Sequence, residues 1–253
     1  MAASAPVVHP IDEMSYQSFL TRCRKTISRF LTLCQILFGR RQAGLDRWCA
    51  AEGNVRPREF DHDDVLRIAF DQFWRKGVRG TSLSDIARDA GVQRGSLYNA
   101  FGSKEALFLC AYERYASEYL TSLQKVLSSG TLRERLTAFF DLTIKNFRSG
   151  SPPRGCPTTR GLMELTSVEG EGLDENARKT FADLVARITG LVQDALSEGV
   201  ERGEFDGDPE TAALHIVTVT RGLAVLERAF GDEAQLRKIA AHAVDLVLGK
   251  ESR

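Results

Sequence analysis

"TSLSDIARDAGVQRGSLYNAF", Thr81 to Phe101, decides the fold. Counted from Leu83, Ala87 comes fifth, Gly91 ninth and Leu97 fifteenth. Two helices that cross closely need those residue types at those places. A small fifth side chain lets the helices approach. A glycine at the ninth position suits a left-handed turn, and an apolar fifteenth residue holds the second helix on the first. Ile86, Val92 and Leu97 then form the internal face, with Thr81 or Ser82 as N-cap. The spacing predicts a helix–turn–helix.

The outward face of its second helix is Gln93, Arg94, Gly95, Ser96, Tyr98 and Asn99. In a major groove, Arg pairs with guanine, and Gln or Asn with adenine. Gly95 lets the backbone come close, and Tyr98 offers a hydroxyl to a phosphate. Lys104 follows Ser103, the expected N-cap of the next helix, and a cation at a helix N-terminus suits a phosphate. Thr81, at the start of the first helix, joins these candidate DNA-binding residues. Arg56 and Arg58, ahead of the domain, read equally as a minor-groove arm or a solvated tail.

Working outward, helical periodicity runs from Asp63 onward and strand signals are almost absent. The spacing predicts helices over 63–76, 83–90, 94–100, 103–127, 131–149, 157–167, 174–203, 208–230 and 233–248. Glycine or proline stands near most of the breaks. The fold class is all-α. An N-terminal three-helix helix–turn–helix domain (55–102) is joined by a long helix to an α-helical ligand-binding and dimerisation domain (103–253). Residues 1–54 form an atypical basic extension. "YQSFLTRCRKTISRFLTLCQILFGRR" has amphipathic spacing, and three readings stay open: a helix on a membrane surface or partner, a helix packed on its own protein, or an overextended start before Val55.

The chain has 253 residues, with 34 basic and 34 acidic side chains. Zero net charge argues against a binder that relies on bulk charge, but not against basic groups clustered on one face. The five cysteines, Cys23, Cys34, Cys49, Cys110 and Cys156, are odd in number and lack C-x-x-C spacing. A disulfide framework and a zinc site are not expected, and a cytoplasmic location fits best. No run has membrane-span length, so no membrane partner is expected.

The stretch "RPREFDHDDVLRIAFDQFWRKGVRGTSLSDIARDAGVQRGSLYNAFGSKEALF" resembles the DNA-binding domain of the TetR family of bacterial repressors. The features that carry the resemblance are "FWRKG", "TSLSDIARDAGV", "GSLYNAF" and "SKEAL", in order and without gaps. Gln93 stands where the family commonly has Ser or Thr, and Asn99 where an aromatic residue or His is frequent. Both departures bear on operator preference. The resemblance implies a homodimer on a double-stranded DNA operator, repression, and a C-terminal domain that binds a small effector. Effector binding is expected to tilt the helix at 103–127.

Tyr112, Tyr115, Tyr119, Phe139, Phe140, Phe147, Met163 and Phe181 are read either as pocket lining or as plain core. In "GSPPRGCPTTRGLMEL", Cys156 lies between Arg154 and Arg160 just before a helix, which suits a reactive thiol. The more ordinary reading is a small buried residue under the loop, as free cysteines usually are. The candidate effector-binding residues are Tyr115, Tyr119, Phe140, Phe147, Cys156 and Met163. The dimer stripes are Leu214, Val217, Thr218, Arg221, Gly222 and Val225, with Ala243 and Leu246 on the last helix. His215 and His242 have no acidic cluster beside them, so no metal or other cofactor is expected. An enzyme with Cys156 as nucleophile lacks a base, and no catalytic residue is assigned.

Overall fold

The computed structural model describes residues 60–150, 153–165 and 173–249. Asp61 opens the fold. Its carboxylate accepts from the Asp63 and Asp64 backbone N–H groups, and α1 runs His62–Lys76. Gly77 stops it at φ 77°, a conformation that only glycine adopts cheaply. Then follow α2 (Leu83–Asp89), α3 (Arg94–Phe101), α4 (Lys104–Leu127), α5 (Leu132–Phe147), α6 (Pro157–Leu165), α7 (Leu173–Glu201), α8 (Pro209–Phe230) and α9 (Glu233–Leu248). The described residues contain no strand.

Local chemistry sets most starts. Ser82 caps α2 through the Asp85 N–H, Ser103 caps α4 through the Ala106 N–H, and Asp208 caps α8 with Pro209 at its first turn. Thr131 and Glu134 form a reciprocal capping box on α5. Each expected helix is found to within two residues. The basic extension, including Arg56 and Arg58, lies outside the described residues.

Val65, Ala69 and Phe73 of α1, Ile86 and Ala87 of α2, and Leu97 of α3 pack together as the core of a three-helix unit. Leu107, Phe108 and Ala111 of α4 join them and lead into the larger core. That core is filled by Phe139, Phe140, Ile144 and Phe147 of α5, Phe181 and Ile188 of α7, and Ile216 and Leu223 of α8. α4 therefore belongs to both cores, which makes it the mechanical link between them.

Candidate nucleic-acid interface

The turn between α2 and α3 is built as the spacing requires. Gly91 has φ 65°, its N–H donates to the Arg88 carbonyl, and the Val92 N–H donates to the Ala87 carbonyl at 2.9 Å. This paired closure ends α2 and turns the chain into α3. Leu97 is buried against the unit, while Gln93, Arg94, Gly95, Tyr98 and Asn99 are exposed and Ser96 is half-buried. Tyr98 is 62% exposed, unusual for so large a ring. A Cβ added at Gly95 would meet nothing within 4 Å, so the subunit's own packing does not demand glycine there.

Ion pairing separates the cations of this unit into two sets. Arg67 pairs with Asp64, Arg75 with Asp71, Lys76 with Asp85, and Arg88 with Asp85 and Asp89. The Ser82 hydroxyl, followed by Arg88 and Lys76, holds the Asp85 carboxyl below its ordinary range. Arg79, Arg94 and Lys104 have no acidic partner among the described residues. Lys104 begins α4, where free backbone N–H groups also point outward. Sequence reading missed Arg79, an exposed residue in the turn between α1 and α2. Its signal was a cation in a glycine-bounded turn with no acid at helical spacing.

Thr81 requires a correction. It is buried, and its hydroxyl donates to the Gly77 carbonyl at 2.7 Å, with the Gln72 carbonyl at 3.3 Å. It locks the end of α1 and offers nothing to a duplex; Ser82 alone is the cap.

In the larger helical body, α4 lines up three tyrosines with inward hydroxyls. Tyr112 bonds Thr158 at 2.7 Å, Tyr119 bonds Thr143 at 3.0 Å, and Asn146 donates to the Tyr115 hydroxyl at 2.7 Å. Burial pushes the Tyr119 phenol up to about 12 against the opposing Thr143 bond, and drives Tyr112 and Tyr115 well above their ordinary value. The Cys156 sulfur accepts the Thr159 N–H and lies 3.5 Å from Arg221 Nη1. The structure thus brings Tyr115, Tyr119 and Cys156 into one buried polar cluster with Arg221. It does not bring the rest of the effector set there. Phe140 and Phe147 are closed core side chains, and Met163 turns outward at 58% exposure.

The dimer stripe is also partly corrected. Leu214, Thr218, Gly222 and Val225 are exposed on α8, as is Leu246 on α9. Val217 and Ala243 are already buried inside the subunit, one position off the exposed face. Arg221 bends inward to Cys156. Among the described residues, no helix is long and apolar enough to cross a membrane and no group of His, Cys, Asp or Glu suits a metal ion.

A reading helix held outward on a tri-helical unit and tied to a helical body defines a helix–turn–helix transcriptional regulator. Residues 65–111 match the bacterial regulatory proteins of the tetR family, and residues 133–243 match the tetracyclin repressor-like C-terminal domain. The chain belongs to the TetR family, which is one of regulators and not of enzymes. It is 24% identical to the Escherichia coli HTH-type transcriptional repressor ComR, over 78% of this chain and 94% of ComR. It is 27% identical to the Escherichia coli repressor NemR, over 68% of this chain and 86% of NemR. A cysteine mutant of the TetR family regulator CifR, complexed with 26-bp double-strand operator DNA, superposes with TM-score 0.66 at 29% identity. That match covers 76% of this chain and 99% of CifR. The fold is also that of the reduced form of Escherichia coli NemR, with TM-score 0.67 over 76% of this chain and 98% of NemR.

Proposed function

We propose that this regulator is a cytoplasmic repressor. It binds a near-palindromic operator as a homodimer and is released by a small effector or by thiol modification of Cys156. Residues 55–102 serve DNA binding, and residues 103–253 serve sensing and dimerisation. The observation that carries this reading is the set of cations left unpaired around α3. Every other Lys and Arg from Arg67 to Lys104 has a carboxylate, so the free charge of Arg79, Arg94 and Lys104 is available to phosphates and base edges. Arg94, Gln93, Tyr98 and Asn99 read bases or position the helix; Arg79 and Lys104 hold the backbone. The complex of CifR, a neighbour of the same fold, with operator DNA supports DNA binding.

Homodimerisation is supported by the exposed stripe on α8. Leu214, Thr218, Gly222 and Val225 recur at helical spacing, and a Cβ at Gly222 would meet nothing within 4 Å. An exposed apolar stripe with a small residue at its centre suits close packing against a second copy. The test is a gel shift on the DNA flanking the protein's own gene, with excess nonspecific competitor at physiological salt. A discrete band that N-ethylmaleimide or a screened metabolite removes is the expected result. No discrete band on that DNA, nor on any duplex enriched from a random pool, sinks the reading.

A further inference from the structure

The last four carbonyls of a helix have no partner within it. In α1, the Phe73 carbonyl is taken by the Gly77 N–H at 2.9 Å. The chain then turns away and leaves the next two without an intrahelical donor. Arg160 closes both: its Nη1 donates to the Trp74 carbonyl at 2.9 Å and to the Arg75 carbonyl at 3.0 Å. A guanidinium here also meets the negative end of the helix dipole. The cap comes from α6, in the effector body.

Two further ties lie beside it. The buried Trp74 indole N–H donates to the Gly155 carbonyl at 3.1 Å. Arg154 pairs with Asp71, and its guanidinium lies 5.4 Å from the centre of the Trp74 ring. The segment 154–160 therefore grips the last turn of α1, which leads directly into the helix–turn–helix. The same segment reaches α4 through Thr158 and Tyr112, and α8 through Cys156 and Arg221. It is wedged between the DNA-reading unit, the connecting helix and the helix with the exposed stripe.

We propose that Arg160 and Trp74 are positioning residues for operator binding. They latch the helix–turn–helix at one angle to the effector body, and a change at Cys156 reaches the DNA through them. This rests on the regulator reading above. α4 fixes the unit at one place and the latch fixes it at a second, so releasing the latch leaves α3 free to pivot on α4.

A dimer reads two half-sites at a set separation, so the latched angle is read out as a spacing preference. The duplex that the parent chain enriches from a random pool is resynthesised with its centre lengthened or shortened by single base pairs. Arg160→Ala is expected to lose about tenfold affinity on the parental spacing and much less on the shifted ones, flattening the profile. Arg160→Lys, which keeps a cation at the two carbonyls, recovers part of the preference. Trp74→Phe keeps an aromatic six-membered ring and loses the N–H together with the five-membered ring; it flattens the profile, and the smaller buried ring lowers Tm. Circular dichroism at the assay temperature checks that each variant is folded. Equal loss at every spacing, or unchanged profiles in folded Arg160→Ala and Trp74→Phe, overturns the latch and leaves the regulator reading standing. A parent chain that enriches no duplex overturns both.

Discussion

Arg221 aims its Nη1 at the Cys156 sulfur from 3.5 Å, and the Thr159 backbone N–H approaches the same sulfur at 3.4 Å. The thiol is thus pinned between a residue of α8 and the first turn of α6. Only 6% of Cys156 is exposed, and Gly155, Pro157 and Thr158 around it are buried as well. A group as large as a maleimide on the sulfur has to displace buried neighbours.

Alkylation of Cys156 should therefore expel the segment 154–160. N-ethylmaleimide adds the sulfur to its alkene and places the thiol proton on the neighbouring carbon. In a chain with Cys23, Cys34, Cys49 and Cys110 changed to Ser, the reagent is expected to weaken operator binding by about tenfold or more, within the usual span of allosteric coupling. The further change Cys156→Ser should abolish that response. Gel shifts with and without reagent decide the matter, and an equal response in both proteins would remove Cys156 from the mechanism.

The unpaired cations divide by role. Arg94→Ala should cost about 1–3 kcal/mol on the preferred base pair and relax the sequence preference there. Lys104→Ala and Arg79→Ala should weaken all duplexes alike and lower the salt slope by about 1 each. Titrations across a salt series on the enriched duplex and on its single-base variants measure both quantities. An Arg79→Ala protein with an unchanged slope would show that this arginine faces solvent in the complex.

Local chemistry made the helix–turn–helix legible. Gly91, Ala87 and Leu97 are fixed by one turn and one crossing, and their spacing survives without knowledge of anything distant. The cap was legible only to within one residue, because Thr81 and Ser82 are chemically alike; burial assigned the first to the α1 lock and the second to α2. Helical period also found the α8 stripe, but placed Val217 on it although that residue turns into the core. The period gives a face and not its edges. Arg160 and Trp74 had no sequence signal for the latch, since their partners lie some 85 positions away and are backbone carbonyls, which every residue carries.

The buried tyrosines predict an alkaline weakness. Tyr119 holds its proton to about 12 in the folded chain, against an unfolded value near 10. Below pH 10 both states keep the proton and stability is untouched. Between about pH 10 and 12 the unfolded chain releases it first, so stability falls by up to about 1.4 kcal/mol per pH unit for this group. Tyr119→Phe should flatten that part of the profile in urea titrations. It should cost about 1 kcal/mol at neutral pH, because the Thr143 bond is lost. A mutant whose alkaline slope equals the parent's would mean that the phenol titrates as if exposed.

Gly222 offers a clean test of the second copy. Its missing Cβ would meet open space within the subunit, and it lies mid-helix between exposed Thr218 and Val225. Gly222→Leu should therefore leave the subunit's fold intact, and should raise helix propensity by somewhat under about 1 kcal/mol. Against a partner packed on that stripe it should clash, shifting the sedimenting species from dimer to monomer and weakening operator binding. Unchanged sedimentation would move the dimer interface off this face.

Gln93 is a conflict between stability and reading. It occupies the N-cap of α3 with extended backbone, yet its side chain makes no capping bond. Serine there can accept from the third N–H of the helix, so Gln93→Ser should stabilise the protein by about 0.5–2 kcal/mol and raise Tm. If glutamine is present because its amide reads an adenine edge, the same change should lower affinity for the enriched duplex and alter the base selected at one position per half-site. Thermal melts and a repeated enrichment from the random pool measure the two effects on one variant. A higher Tm with an unchanged selected sequence would show that the amide of Gln93 reads no base.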